Sequence, residues 1–212
     1  MIPALEALTR LREGNRRFAS NARGADADPT PDLERRLELT KAQQPFAIIL
    51  GCSDARVPAE LVFDQGLGDL FVIRVAGNIV APSQVASVEF AAARFETRLV
   101  VVLGHSECGA ILATLDELGR PAESQSRYLH AIVDRVRPSI EGLLHGGLGL
   151  DPEVLVRQAV RANIRASADH LRHGSEVLEQ LIREEGVLVV GAEYSLDTGV
   201  VDFFDGVPPS AR

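Results

Sequence analysis

Three short apolar runs in this chain each end at a glycine, and they constrain its fold more than any other feature. They cover residues 46–51, 99–104 and 187–191. Their apolar residues are continuous rather than alternating, which is typical of strands covered on both faces, as in a parallel sheet with crossover helices. A fourth run at 70–73 predicts another such strand, and residues 200–204 predict an edge strand.

Helical periodicity fills the gaps between these runs. Residues 2–19 carry apolar side chains at near-helical spacing, and Asp32 is expected to cap a second short helix after a polar connector. Further helices are predicted over residues 87–95, 109–118, 124–144 and 152–185, the last with a break near Gly174. We therefore expect one α/β domain over residues 1–212: a helical arm (1–44), then a core of about four parallel strands plus an edge strand, flanked by helices (45–212).

Composition excludes several classes of function. The net charge is −8 and lysine and arginine form no block, which argues against a nucleic-acid surface. No apolar run reaches the roughly 18 residues of a membrane span, and no secretory leader is recognisable. We expect a cytoplasmic protein, and because that compartment is reducing, we expect its only two cysteines to serve metal binding or catalysis rather than a disulfide.

Two of the glycine-ended runs are followed at once by a residue that can bind a metal. Cys52 follows Gly51, and His105 follows Gly104. If these strands are neighbours, both residues meet at the carboxyl edge of the sheet, and Cys108 joins them at a helix start. Three nitrogen and sulfur ligands with an open fourth position are typical of catalytic zinc. The alternative is that the cysteines pack in the core and the histidine merely ends a strand.

Asp54 and Arg56 add a second pair of functional groups beside Cys52. The carboxylate of Asp54 is placed to bind the metal or to accept a hydrogen bond from a metal-bound water. The guanidinium of Arg56 is suited to pair with it and hold it off the metal. The alternative here is a plain surface ion pair in a turn.

Residues 52–56 (CSDAR) and 105–109 (HSECG) together resemble the two signatures of the β-class carbonic anhydrases. The resemblance covers nearly the whole chain and includes residues 13–18, 63–69, 74–78 and 191–194. It implies a zinc enzyme that reversibly hydrates carbon dioxide to bicarbonate and a proton. One zinc ion per chain would be held by Cys52, His105 and Cys108. Asp54 and Arg56 would form the catalytic dyad, with Asp54 reaching the zinc only in a closed state.

The same resemblance implies four residues for substrate binding. Gln43 would donate a hydrogen bond to bicarbonate, and the backbone amide of Gly109 would face the substrate. Phe71 and Phe90 match positions that line the apolar pocket across a subunit interface, although the sequence alone favours two simple core aromatics. The resemblance therefore implies a homodimer or homotetramer with active sites at the interface, to which Gln43, Phe71 and Phe90 contribute.

Some relatives also bind bicarbonate at a separate site that closes the zinc centre. Arg74 and Tyr194 match that site, but Ile49 occupies its tryptophan position, and the chain contains no tryptophan. We therefore expect a non-allosteric enzyme, in which Arg74 forms a structural ion pair and Tyr194 an interface hydroxyl.

Two alternative functions stay open at this stage: hydrolysis of carbonyl sulfide or carbon disulfide on the same scaffold, and a non-catalytic zinc or redox-sensing module. His170 and His173 lie three apart on a predicted helix, where we expect a solvated face. Residues 146–149 are expected to link two helices.

Overall fold

The apolar runs form one five-stranded sheet in the computed structural model, which describes residues 2–22, 33–118, 129–146 and 151–211. The strands are β1 (Ala47–Gly51), β2 (Leu70–Arg74), β3 (Leu99–His105), β4 (Leu188–Tyr194) and β5 (Val201–Asp205). They lie in the order β2-β1-β3-β4-β5, with β1 to β4 parallel and β5 antiparallel to β4. The expected fold, a single α/β domain with a mostly parallel sheet, is confirmed.

Helices occupy most of the connections. They are α1 (Ala4–Ala19), α2 (Leu33–Leu39), α3 (Ala59–Val62), α4 (Pro82–Arg94), α5 (Gly109–Leu118), α6 (His130–Gly146), α7 (Pro152–His173) and α8 (Glu176–Glu185). Two 3₁₀ turns, Ala76–Asn78 and Pro209–Ala211, complete the described elements.

Several helix ends follow from local chemistry. Asp151 caps α7 by accepting a hydrogen bond from the Glu153 amide, and Ser175 caps α8 in the same way. The predicted break near Gly174 separates these two helices. The predicted start of α4 at residue 87 is wrong: the helix begins at Pro82, because proline has a helical φ and needs no hydrogen-bond partner at the first position.

Some sequence predictions fall on residues outside the described ranges. These are the cap at Asp32, the start of the helix predicted from residue 124, and most of the link at 146–149. The structure describes Gly146 as the last residue of α6. Helix α3 and the 3₁₀ turn after β2 were not predicted, because elements of three or four residues are too short to show a period.

The central strands are buried on both faces, which explains their continuous apolar sequence. All described residues of β1 and β3 are buried. Ile48 and Val100 belong to the core on the side of helices α4 to α8. Ile49 and Val101 belong to the opposite core, which α1 and α3 cover. Each such side chain stabilises the fold by about 1.5–3 kcal/mol relative to full exposure.

The N-terminal helix packs on the sheet of its own chain. Ala7, Leu8 and Leu11 of α1 are fully buried in the core on that side. The division of the chain at residue 44 stays a prediction. Within the described ranges, every helix is too short or too polar to cross a bilayer.

Candidate metal centre and active site

Adjacent strands bring the three predicted metal ligands together. Strand β1 pairs with β3 in parallel, with Gly51 opposite Leu103. Cys52 directly follows β1, His105 is the last residue of β3, and Cys108 directly precedes α5. β1 and β3 are therefore neighbours, as the predicted metal site requires.

The three side chains lie close enough together to hold one metal ion. Their ligand atoms lie within 4.8 Å of one another, and all three residues are buried. The two sulfur atoms are 4.0 Å apart. Zinc–sulfur bonds of about 2.3 Å place two thiolates about 3.8 Å apart on a tetrahedral ion. The spacing and the donor set therefore fit zinc, and this is the one such group within the described residues.

The ring of His105 is oriented for metal binding. Its Nδ1 lies 2.9 Å from the carbonyl oxygen of Ser106. Because a carbonyl oxygen only accepts, Nδ1 carries a proton, and Nε2 is the ring nitrogen that can offer a lone pair to a metal. Nε2 is buried and makes no hydrogen bond within the described residues. A metal ion is the partner that such an atom lacks.

Contact between the two thiols shifts their pKa values in opposite directions. Contact with Cys108 lowers the pKa of Cys52, and the same contact raises the pKa of Cys108. A divalent cation between the sulfurs favours the thiolate form of both, so metal binding would be accompanied by proton release.

Asp54 and Arg56 form a bidentate pair beside the cluster. Arg56 donates from Nε to Asp54 Oδ1 at 2.9 Å and from an amino group to Oδ2 at 2.7 Å. The side-chain hydrogen bond from Arg56 holds the pKa of Asp54 well below its usual range. Asp54 Oδ2 is also 3.8 Å from His105 Nε2. The carboxylate is therefore ionised, adjacent to the ligand atoms, and engaged by arginine.

Gly109 lies next to the cluster, at the start of α5. A Cβ added there would meet no atom within 4 Å, so the backbone faces open space. The first N–H groups of a helix lack partners within it. The amide of Gly109 therefore has no partner within α5.

Gln43, Phe71 and Phe90 are not brought to the cluster of their own chain. Gln43 is exposed and precedes β1, whereas Cys52 follows it, and five residues of strand span about 16 Å. Phe71 pairs with Ile48 near the start of β1.

The aromatic residues form a group at the β2 edge of the sheet. The ring of Phe71 lies 6.2 Å from that of Phe90, and Phe90 packs edge-on against Phe95 at 5.6 Å. Phe90 remains 54% exposed although its ring packs against those of Phe71 and Phe95. Phe90 is therefore not the simple core aromatic that the sequence alone favours.

Arg74 has a different role from the ion pair expected of it. Its Nε donates to the carbonyl oxygen of Cys52 at 2.9 Å, and an amino group donates to that of Asp54 at 2.6 Å. It therefore ties strand β2 to the loop that carries a ligand and the dyad carboxylate. Nothing in the sequence distinguishes a guanidinium that binds backbone carbonyls from one that binds a carboxylate.

Ile49 and Tyr194 lie in the core on the α1 side. Ile49 is fully buried, and Tyr194 packs its ring 6.3 Å from that of Phe18. His170 and His173 are not part of any described group of three metal-binding side chains, and His173 lies 3.6 Å from Asp169 on the same helix.

Comparison with known proteins assigns the chain to a family. The family model for carbonic anhydrase matches residues 47–201. The chain belongs to the carbonic anhydrases. It is 38% identical to a carbonic anhydrase of Mycolicibacterium smegmatis, over 91% of this chain and 89% of that protein. It is 35% identical to carbonic anhydrase 2 of Mycobacterium tuberculosis, over 89% of this chain and 87% of that protein.

A solved structure shares the fold. The chain matches a β-carbonic anhydrase of Sordaria macrospora, described as tetrameric, with a TM-score of 0.72 and 22% identity over 94% of this chain and 97% of that one. The resemblance to the β class is confirmed. So is the expected enzyme class, carbonate dehydratase, because reversible hydration of carbon dioxide is the function of the family. These findings favour neither carbonyl sulfide hydrolysis nor a non-catalytic module.

Proposed function

We propose that this carbonic anhydrase hydrates carbon dioxide at the cluster of Cys52, His105 and Cys108, with Asp54 and Arg56 as its catalytic dyad. The observation that carries the proposal is the position of one ionised carboxylate, Asp54, beside three buried donor atoms. A purely structural metal site has no need of such a carboxylate.

The donor set supports zinc as the cofactor, one ion per chain. Zinc held there would act as a Lewis acid and make water a stronger acid, which would supply a nucleophile near neutral pH. Two thiolates and a neutral imidazole are ligands that zinc prefers. The hydrogen bond from His105 Nδ1 to the Ser106 carbonyl supports this role, since it fixes the ring and its tautomer.

The role of Asp54 is to orient the nucleophile. Its carboxylate accepts a hydrogen bond from the attacking water, so that an oxygen lone pair points toward the carbon of carbon dioxide. Arg56 keeps this carboxylate ionised and holds both of its oxygens, which restrains it from moving onto the ligand atoms. The amide of Gly109 donates to an oxygen of the bicarbonate product.

We also propose that Gln43, Phe71 and Phe90 act in the active site of a second subunit. Gln43 precedes β1 and is exposed, so its own cluster lies at the far end of that strand. The exposed ring of Phe90, packed on Phe71 at an edge strand, is suited to cover apolar substrate in another chain. A homodimer or homotetramer gives both features a role, and a cytoplasmic location remains part of this proposal.

Zinc content and carbon dioxide hydration measured on one preparation test the function. We expect one zinc per chain and hydration in stopped flow, with a much lower rate on carbonyl sulfide in parallel. One zinc per chain without hydration contradicts the proposal.

Mixed oligomers test the shared site. Gln43→Ala and Asp54→Asn chains should each be poorly active alone, and co-expression should restore activity, because one site in a mixed pair then carries both native residues. Mixed oligomers no more active than the average of the two parents contradict the subunit exchange.

A further inference from the structure

Gly77 connects a ligand sulfur to helix α7. It lies at the centre of the 3₁₀ turn Ala76–Asn78 that follows β2. Its N–H donates a hydrogen bond to Cys52 Sγ at 3.3 Å. Its carbonyl oxygen accepts one from Nδ2 of Asn163 at 2.7 Å. Two hydrogen bonds on either side of one α-carbon thus join the metal centre to a helix 86 residues further along the chain.

The conformation of this turn depends on the two hydrogen bonds. Gly77 has φ of 70° and ψ of 18°, the left-handed region that favours glycine. Its N–H and its carbonyl belong to different peptide units. Asn163 holds the peptide unit that follows the Gly77 α-carbon, and the N–H that faces Cys52 belongs to the unit that precedes it. Because the two units are joined at one α-carbon, restraining the first limits how the second can turn. A Cβ at Gly77 would lie 3.1 Å from Cβ of Ala110, so the turn also packs against the first turn of α5.

Asn163 is a polar side chain in an apolar part of the core. It is 2% exposed, and its neighbours along α7 include the buried Val160 and Ile164. A buried amide is unfavourable unless it is hydrogen-bonded, so its contact with Gly77 is needed for its own stability. Helix α7 is also seated tightly, because Ile164 packs directly over Gly104. The donor that holds the turn is therefore carried by a rigid element.

We propose that Asn163 is a positioning residue for the metal centre, acting through Gly77 to direct a hydrogen bond onto the Cys52 sulfur. An N–H···S bond withdraws electron density from a thiolate, and a less donating thiolate leaves its metal a stronger Lewis acid. Two thiolates donate more charge than imidazoles do, so this bond offsets a property of the ligand set itself. The inference rests on the proposed metal centre.

Cobalt(II) in place of zinc makes the sulfur visible, because sulfur-to-cobalt charge transfer absorbs in the near ultraviolet. In Asn163→Leu, which keeps the branching of the side chain but has no donor, we expect this band to move to longer wavelength than in the native protein. Ser167→Ala is the matched control: it removes another buried polar group of α7 one turn further on, at 5% exposure, and should leave the band in place. Thermal unfolding by circular dichroism is measured on the same samples.

Gly77→Ala provides a second variant should Asn163→Leu not fold. It disturbs the same turn directly and should move the band in the same direction. A lower unfolding temperature of Asn163→Leu with an unmoved band overturns the proposal, since Asn163 is then only a structural residue. An unmoved band in Gly77→Ala overturns it equally. A native protein that binds no cobalt through sulfur refutes the metal centre itself, which is a different result from either.

Discussion

The close approach of helix α7 to the sheet depends on two glycines, and a single methyl group should test it. A Cβ at Gly104, the residue before His105, would lie 2.5 Å from Cδ1 and 2.6 Å from Cγ1 of Ile164. A Cβ at Gly191 on the neighbouring strand would lie 2.9 Å from Cγ2 of the same isoleucine. Ile164 is fully buried, so it fills the space over both glycines and has little room to move.

We expect Gly104→Ala to destabilise the protein by about 1–3 kcal/mol, the usual cost of inserting a methyl group into a packed core. Ile164→Ala alone should cost about 2–5 kcal/mol, because it leaves a cavity. In the double variant the new methyl group occupies part of that cavity. The double variant should therefore lose less free energy of unfolding than the two single variants lose together, by roughly 1 kcal/mol or more, which is a typical coupling between residues in contact.

Urea unfolding followed by far-ultraviolet circular dichroism measures these differences, since the chain has no tryptophan for fluorescence. All variants need the same zinc and protein concentrations, because binding and assembly change apparent stability. Val160→Ala is the matched control: Val160 is buried on the same helix but is not among the atoms nearest to a Cβ at Gly104, so its effect should add to that of Gly104→Ala. Additivity of Gly104→Ala with Ile164→Ala would refute the proposed contact.

Four further predictions concern the site itself. Cys52→Ser and Cys108→Ser should lose zinc and hydration together, because a hydroxyl is a far poorer zinc ligand than a thiolate, and stoichiometric zinc by elemental analysis in either variant would show that the ligands are wrong. Asp54→Asn should keep its zinc yet lose most hydration activity in stopped flow, and a native rate in this variant would show that the dyad has no catalytic role. Arg56→Ala should let Asp54 bind zinc, which X-ray absorption would detect as an added oxygen ligand. Inhibition by bicarbonate should be hyperbolic, with Asp54 on Arg56 near pH 7.5, and a sigmoidal curve or a crystal structure with Asp54 on zinc would contradict this. Arg74→Leu should lower hydration activity and thermal stability, because Arg74 donates to the carbonyls of Cys52 and Asp54, and Arg74→Lys should recover part of both. A native hydration rate in Arg74→Leu would show that Arg74 does not support the site.

Much of the fold could be predicted because its signals are local. A strand that is buried on both faces must be apolar at every position, and β1 and β3 are. Helices α7 and α8 could be separated at Gly174 because a helix end has a recognisable residue type. The ligand and dyad residues could be proposed for the same reason: they lie in two segments of five residues, each at the carboxyl end of a strand.

Predictions failed where the deciding contact joins distant segments. Arg74 was expected to form an ion pair, yet it binds two carbonyl oxygens 20 and 22 residues away. The location of Phe90 on an exposed edge depends on which strand ends the sheet. The residues next to a strand do not determine its place in the sheet, and the residues next to an arginine do not determine what its guanidinium binds.

The amino-acid sequence by itself therefore determined the strands, the approximate helices and the candidate ligands, since each follows from the chemistry of neighbouring residues. Only the tertiary structure decided that Cys52 and His105 meet, because the pairing of β1 with β3 brings together segments about fifty residues apart. It also decided that Asn163 reaches Gly77 and that Ile164 lies over two strand glycines. Such contacts form only when α7 packs against the sheet, since burial of both surfaces, and no local preference, selects the partners.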